Sequence, residues 1–180
     1  MPIAAHIARS LTEVLKRERE SHSLFLISGM PGVGKTSLVK AVFSDLAYVD
    51  LNDIYPRNLA RTQPADFFSV YGKRLIVDGI EKAPELTDFL PTDDSSQIVF
   101  VGYLPIEKKN LLIEYGGLKC HRVLPFSQRE YAQKEPCLWG NEAIALRISY
   151  PQPGFFDVIR NGFLPRSDLA QSTSSFYESW

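Results

Sequence analysis

Eight consecutive residues, Gly29-Met30-Pro31-Gly32-Val33-Gly34-Lys35-Thr36, satisfy the pattern G-x-x-x-x-G-K-[ST] at every fixed position. The residue types follow from what a polyphosphate requires. Glycines let the backbone curl so that successive N–H groups point inward at phosphate oxygens. A helix that starts directly after the loop turns its positive end toward the same oxygens. Lys35 is placed to reach the β- and γ-phosphates, and the Thr36 hydroxyl to hold Mg²⁺. The expected nucleotide-binding set is Gly29, Pro31, Gly32, Val33, Gly34, Lys35, Thr36 and Ser37, with ATP and Mg²⁺ as ligands. Chance is a poor rival: with glycine at roughly 7% of residues, the four fixed positions coincide in well under about 1% of chains this long.

A second acidic position completes the set. Asp78 closes the apolar run Leu75-Ile76-Val77, which reads as a strand. A carboxylate at the carboxyl end of a parallel strand can meet Mg²⁺ across the loop, because parallel sheets bind ligands on that edge. Taken alone, Asp78 before Gly79 also reads as the start of a turn; the upstream loop decides for the metal. Thr36 and Asp78 are thus the expected metal pair, and Lys35 and Asp78 the expected catalytic pair.

These residues need a scaffold, and the periodicity supplies one. Ile3, Ile7, Leu11, Val14 and Leu15 share one face of a helix, and Lys16 to Glu20 form its charged end. Ser23 to Ser28, ended by Gly29, has the pattern of a strand buried on both faces. Helical spacing resumes with Leu38, Val39, Val42, Phe43 and Leu46. Tyr48 to Leu51 forms a second strand, followed by a polar stretch through Asn58. Leu75 to Asp78 is the third, Gln97 to Gly102 the fourth and His121 to Leu124 the fifth, with a helix-sized segment carrying Leu111, Leu112 and Tyr115 before the last. Strands and helix-sized connections that alternate predict an α/β, three-layer P-loop NTPase sandwich: a mainly parallel five-stranded sheet with helices on both faces.

Composition narrows the function classes. Twenty basic residues stand against 21 acidic ones, so no global positive field exists to hold nucleic acid or an anionic membrane nonspecifically. Two cysteines, Cys120 and Cys137, do not make a disulfide framework and are expected as reduced thiols. The amino terminus lacks the roughly 7–15 continuous apolar residues of a secretory signal, and the expected compartment is cytoplasmic. Residues 1–150 are expected to form the core domain. Pro151, Pro153 and Gly154 mark a hinge, and residues 151–180 are expected as a C-terminal appendage, the start of a further helical segment.

Three stretches outside the loop carry a family resemblance. Tyr48-Val49-Asp50-Leu51-Asn52-Asp53, with Asn58-Leu59-Ala60 and Pro64-Ala65-Asp66-Phe67, is one. Leu75-Ile76-Val77-Asp78-Gly79-Ile80-Glu81-Lys82-Ala83-Pro84-Glu85-Leu86 is another, and Leu124-Pro125-Phe126-Ser127-Gln128-Arg129-Glu130-Tyr131 the third. Together with the loop they resemble the AAA+-like P-loop ATPases of bacteria and archaea, in the branch where a small ATPase core precedes a nuclease-like domain. The resemblance implies Mg-ATP binding and ATP hydrolysis, and a protein partner or a second copy of the chain as neighbour.

The departures from that family are specific. Its Walker-B aspartate is followed by a glutamate that polarises the attacking water; here that position is Gly79, and Glu81 stands where the family carries an amide. Val101-Gly102-Tyr103 replaces a hydroxyl-bearing sensor, and Gly116-Gly117-Leu118-Lys119 replaces a Gly-Arg pair, leaving Lys119 or Arg122 as nearby cations. An arginine finger alone is worth roughly 10³–10⁵ in rate. The expected protein therefore binds Mg-ATP well and hydrolyses it weakly or with a partner's help; the alternative is a nucleotide-binding interaction module without turnover, or a truncated remnant. His6, His22 and His121 have no metal-ligand spacing with the cysteines, and Cys120-His121 is read as ordinary strand sequence rather than a nucleophile and its base.

Overall fold

The computed structural model describes residues 9–91, 93, 95–125 and 130. His6, Cys137, Trp139, Trp180, the 150/151 boundary and the C-terminal appendage lie outside the described residues. The chain divides into two compact units, Leu11–Val123 and a second made of Met1–Ser10 with Leu124–Trp180. In the described part of the second, the Arg9 guanidinium donates to the Leu124 carbonyl at 3.0 Å and lies 3.6 Å from the Glu130 carboxylate, which also accepts the Ser10 N–H at 2.8 Å.

The first unit is an α/β fold. Its strands are β1 (Leu24–Gly29), β2 (Ala47–Asp50), β3 (Arg74–Asp78), β4 (Gln97–Val101) and β5 (Lys119–Val123). They form one sheet in the order β2-β3-β4-β1-β5, and every neighbouring pair is parallel. The helices are α1 (Ser10–Glu18), α2 (Lys35–Val42), α3 (Ile54–Thr62), α4 (Pro64–Tyr71) and α5 (Ile106–Gly116), with two 3-10 turns at Ile80–Lys82 and Pro84–Phe89.

Both faces of the sheet are covered, which is why β1 and β4 are continuous apolar runs rather than alternating ones. Leu24 and Leu26 share a core with Leu75, Val77, Ile98 and Phe100, closed by Ala60 of α3 and Phe67 and Phe68 of α4. Phe25 and Ile27 point the opposite way along the strand and are equally inaccessible. The Phe25 ring meets that of Phe43, the residue directly after α2, at 5.4 Å between centroids. Each such side chain contributes about 1.5–3 kcal/mol by leaving water, so the sheet that carries the loop is rigid on both sides.

The five strands fall within a residue or two of the expected ones. The largest difference is at residues 52–71, expected as a polar stretch and a helix-sized connection. Two helices stand there, α3 opening after Asp53 and α4 opening with Pro64 in its first turn, where proline's missing N–H costs nothing. Within α4 the centroid of the Phe67 ring lies 5.5 Å from that of Phe68 and 4.8 Å from that of Tyr71. The helix expected to follow β1 is shorter than its apolar spacing: α2 ends at Val42, and Leu46 is buried in the turn that leads to β2. Among the described residues, no helix is long and apolar enough to cross a membrane.

Candidate functional site

All five strands point their carboxyl ends to one edge of the sheet, and the residues singled out by type gather there. The loop leaves β1, Asp78 ends β3, and β4 lies between those two strands. A chain that leaves a central strand and re-enters the sheet elsewhere opens a crevice at that edge, where doubly wound folds bind ligands.

The loop is anchored rather than free. Val33 is fully buried beneath it, and Gly29 ends β1 against the Val123 carbonyl of β5, so close that a methyl group at Gly29 would meet that oxygen at 2.4 Å. Gly34 precedes α2 in the left-handed conformation, and no side chain caps the helix. The first amide groups of a helix have no intrahelical partner. At α2 they belong to Lys35, Thr36 and Ser37, directly after the loop. Uncapped amides and a positive helix end form an anion receptor. The Lys35 ammonium folds over the loop and donates to the carbonyls of Gly29 at 2.9 Å and Met30 at 3.0 Å. Burial pushes its pKa below the usual lysine range, opposed by the negative charges of Asp78 and Glu81. A partly desolvated cation of this kind gains most from an arriving polyanion.

Asp78 is the hub of the site. The Thr36 hydroxyl donates to its Oδ2 at 2.6 Å, so the two expected metal-holding side chains are in direct contact. Two hard oxygen donors side by side suit Mg²⁺, which takes few protein ligands and keeps water and substrate oxygens for the rest. The same Oδ2 accepts the Tyr48 hydroxyl at 3.0 Å. Tyr48 reaches it from β2, whose register pairs Tyr48 with Ile76 and Asp50 with Asp78. The Lys40 ammonium of α2 sits 3.5 Å from the centroid of the Tyr48 ring. Burial, followed by the charge and hydrogen bond of Asp78, pushes the Tyr48 phenol well above its usual pKa, so it stays a donor. Sequence reasoning missed Tyr48 and Lys40, because no motif marks them.

Glu81 is the other residue whose role the sequence left open. Gly79 continues the ladder by donating to the Val101 carbonyl at 2.9 Å and then turns with φ +80°, a conformation that suits glycine. The turn Ile80–Lys82 follows, with Ile80 fully buried. Glu81 is thereby carried over the end of β4, where its Oε2 accepts the Tyr103 N–H at 3.2 Å.

Two expected cations are not brought to the site in the same way. Lys119 begins β5, at the end of the strand away from the loop, while Arg122 lies beside Ser28 and is exposed. The His121 Nε2 donates to the Glu18 carboxylate of α1 at 2.6 Å, which makes it a tertiary contact of β5. Cys120 is exposed and free.

Residues 25–101 match the model of the ATPase family associated with various cellular activities (AAA). That span covers under half of the 180 residues and runs from within β1 to the end of β4, taking in the loop and Asp78. The comparison with curated proteins gave no match. Among solved structures, the chain is similar to a Signal Transduction ATPase with Numerous Domains (STAND) protein with a tetratricopeptide repeat sensor from Pyrococcus horikoshii, at 16% identity and a TM-score of 0.47. The match covers 72% of this chain and 26% of that one, so the chain spans about a quarter of that protein's length.

Proposed function

We propose that this chain is a P-loop ATPase module of AAA type that binds Mg-ATP through residues 29–37 and turns it over slowly or with a partner's help. The observation that carries this reading is the contact of Thr36 with Asp78 at 2.6 Å beside an uncapped helix start and the folded-over Lys35. The loop amides of Gly32 to Ser37 take the β-phosphate oxygens, and Lys35 exchanges its two backbone carbonyls for the β- and γ-phosphates. Pro31 and Val33 hold the loop's shape, one by its fixed φ and the other by burial. Thr36 and Asp78 would hold Mg²⁺, which supplies charge neutralisation to the phosphates when bound. A single side of the substrate is thus well provided.

Slow turnover is supported by what stands at the transition-state positions. Gly79 carries no carboxylate, and Val101-Gly102-Tyr103 carries no short hydroxyl sensor. Lys119 stands at the end of β5 away from the loop, so the missing cation would come from Arg122, exposed beside Ser28, or from a neighbouring protein or a second copy of this chain. A composition with two cysteines suits a reducing compartment, and the proposed location is the cytoplasm.

Equilibrium ATP binding with and without Mg²⁺ tests the reading. Lys35→Ala removes a charged donor worth about 1.5–3 kcal/mol, so affinity drops about 10- to 150-fold. Asp78→Asn removes the Mg²⁺ dependence and leaves metal-free binding in place. Mg-ATP affinity unchanged in Lys35→Ala would contradict the assignment of the loop.

A further inference from the structure

We propose that Glu81 is the carboxylate that takes the proton of the attacking water in ATP hydrolysis, relocated by two positions from the place Gly79 occupies. The inference rests on the reading of the site as an ATPase and deepens it. Three independent features of the chain converge on this side chain. Gly79 supplies the turn: its N–H extends the β3–β4 ladder to Val101, and its positive φ then folds Ile80–Lys82 back toward β4. Ile80 fills the core, and Lys82 is drawn toward β2 by a hydrogen bond to the Asn52 side chain. Glu81, between them, is left facing the carboxyl edge.

Gly102 supplies the space. A β-carbon there would stand 2.0 Å from Glu81 Oε2 and 3.2 Å from its carboxyl carbon, so the carboxylate occupies the volume that any other residue at position 102 would fill. Gly102 is itself tied to the strand that carries the loop, donating to the Ile27 carbonyl at 3.0 Å. The carboxylate therefore rests at the end of β4, the strand that stands between β1, which carries the loop, and β3, which ends in Asp78.

Tyr103 supplies the orientation. Its N–H holds Oε2 at 3.2 Å, while Oε1 accepts no hydrogen bond among the described residues. One oxygen is fixed and the other is available to water. In the step itself, the water oxygen bonds to the γ-phosphorus and the bond from that phosphorus to the β,γ-bridging oxygen breaks. ADP leaves with the bridging oxygen, one water proton passes to Glu81 Oε1, and that proton then leaves to the phosphate product or solvent. No oxidant or second reactant is needed.

The test is Mg-ATP affinity, read with a fluorescent ATP analogue, and single-turnover hydrolysis of γ-labelled ATP, both on the full chain. Glu81→Gln keeps the length and the acceptor for Tyr103 but cannot take a proton. A general base contributes roughly 10²–10⁴ in rate, so turnover falls by at least about 100-fold while affinity stays within about threefold. Glu81→Asp keeps the base but withdraws it, and falls between the two. Glu81→Gln turning over within threefold of the unmodified chain would overturn the proposal, as would an unmodified chain that binds Mg-ATP with no turnover above Lys35→Ala. Both of those results leave the nucleotide-binding reading standing; an unmodified chain that does not bind Mg-ATP overturns both.

Discussion

The contact between Tyr48 and Asp78 gives the most demanding check on the geometry of the site, because nothing in the motif requires it. The phenol donates to Asp78 Oδ2 at 3.0 Å, alongside Thr36 at 2.6 Å. A hydrogen bond to a charged acceptor contributes about 1.5–3 kcal/mol, and partial exposure of Tyr48 places this one near the lower end. Tyr48→Phe deletes the hydroxyl alone. The ring stays beneath the Lys40 ammonium, so that contact, worth about 0.5–1 kcal/mol when exposed, is retained. A double-mutant cycle of Tyr48→Phe with Asp78→Ala, read by urea unfolding at pH 7 without nucleotide, should give a coupling of about 1.5 kcal/mol. The pH dependence adds an independent readout. The phenol's pKa is raised in the folded state, so its contribution is present below the unfolded value near 10 and is lost as pH rises past it. Tyr48→Phe should therefore flatten the fall in stability above about pH 10. Additivity of the two substitutions within about 0.5 kcal/mol would refute the contact.

Two further outcomes follow from other parts of the unit. The Asp45 carboxylate bridges Arg19 and Arg74 at 2.6 and 2.5 Å, and the hydrogen bond from Arg19 leads in holding its pKa below the usual range. Its stabilising effect is present above the unfolded value near 4 and is lost as pH falls toward the folded one, so thermal melts of Asp45→Asn between pH 2 and about 6 should show a shallower acid limb. Gly102→Ala places a methyl group against Glu81 at φ +131°, costing about 1–3 kcal/mol of unfolding free energy and slowing single-turnover hydrolysis, measured on the fraction that remains folded.

The loop was legible because its chemistry is local: glycines, a lysine and a hydroxyl at fixed spacing specify a backbone shape without any knowledge of distant residues. The strands were legible because a parallel sheet buried on both faces leaves unbroken apolar runs, as in Phe25 to Ile27 and Ile98 to Val101. What the sequence could not disclose depends on register. Tyr48 meets Asp78 because β2 pairs with β3 so that Asp50 stands beside Asp78, and a one-residue shift would turn the phenol to the other face. Glu81 was visible as an acidic residue two places late, but its direction is set by the turn at Gly79 and by the empty volume at Gly102, which lies 21 positions further along. The helices of residues 54–71 were obscured for a different reason. Their exposed positions include Ile54, Tyr55 and Val70, which blur the amphipathic period, while the signals that remain are the Asp53 start and Pro64.

Mg-ATP affinity and single-turnover hydrolysis, measured on one purified sample with Lys35→Ala as the control, decide whether this chain is an ATPase. Mg²⁺-dependent binding that the control weakens, together with a slow turnover that the control abolishes, is the expected result. A chain that neither binds Mg-ATP nor differs from Lys35→Ala would contradict that assignment.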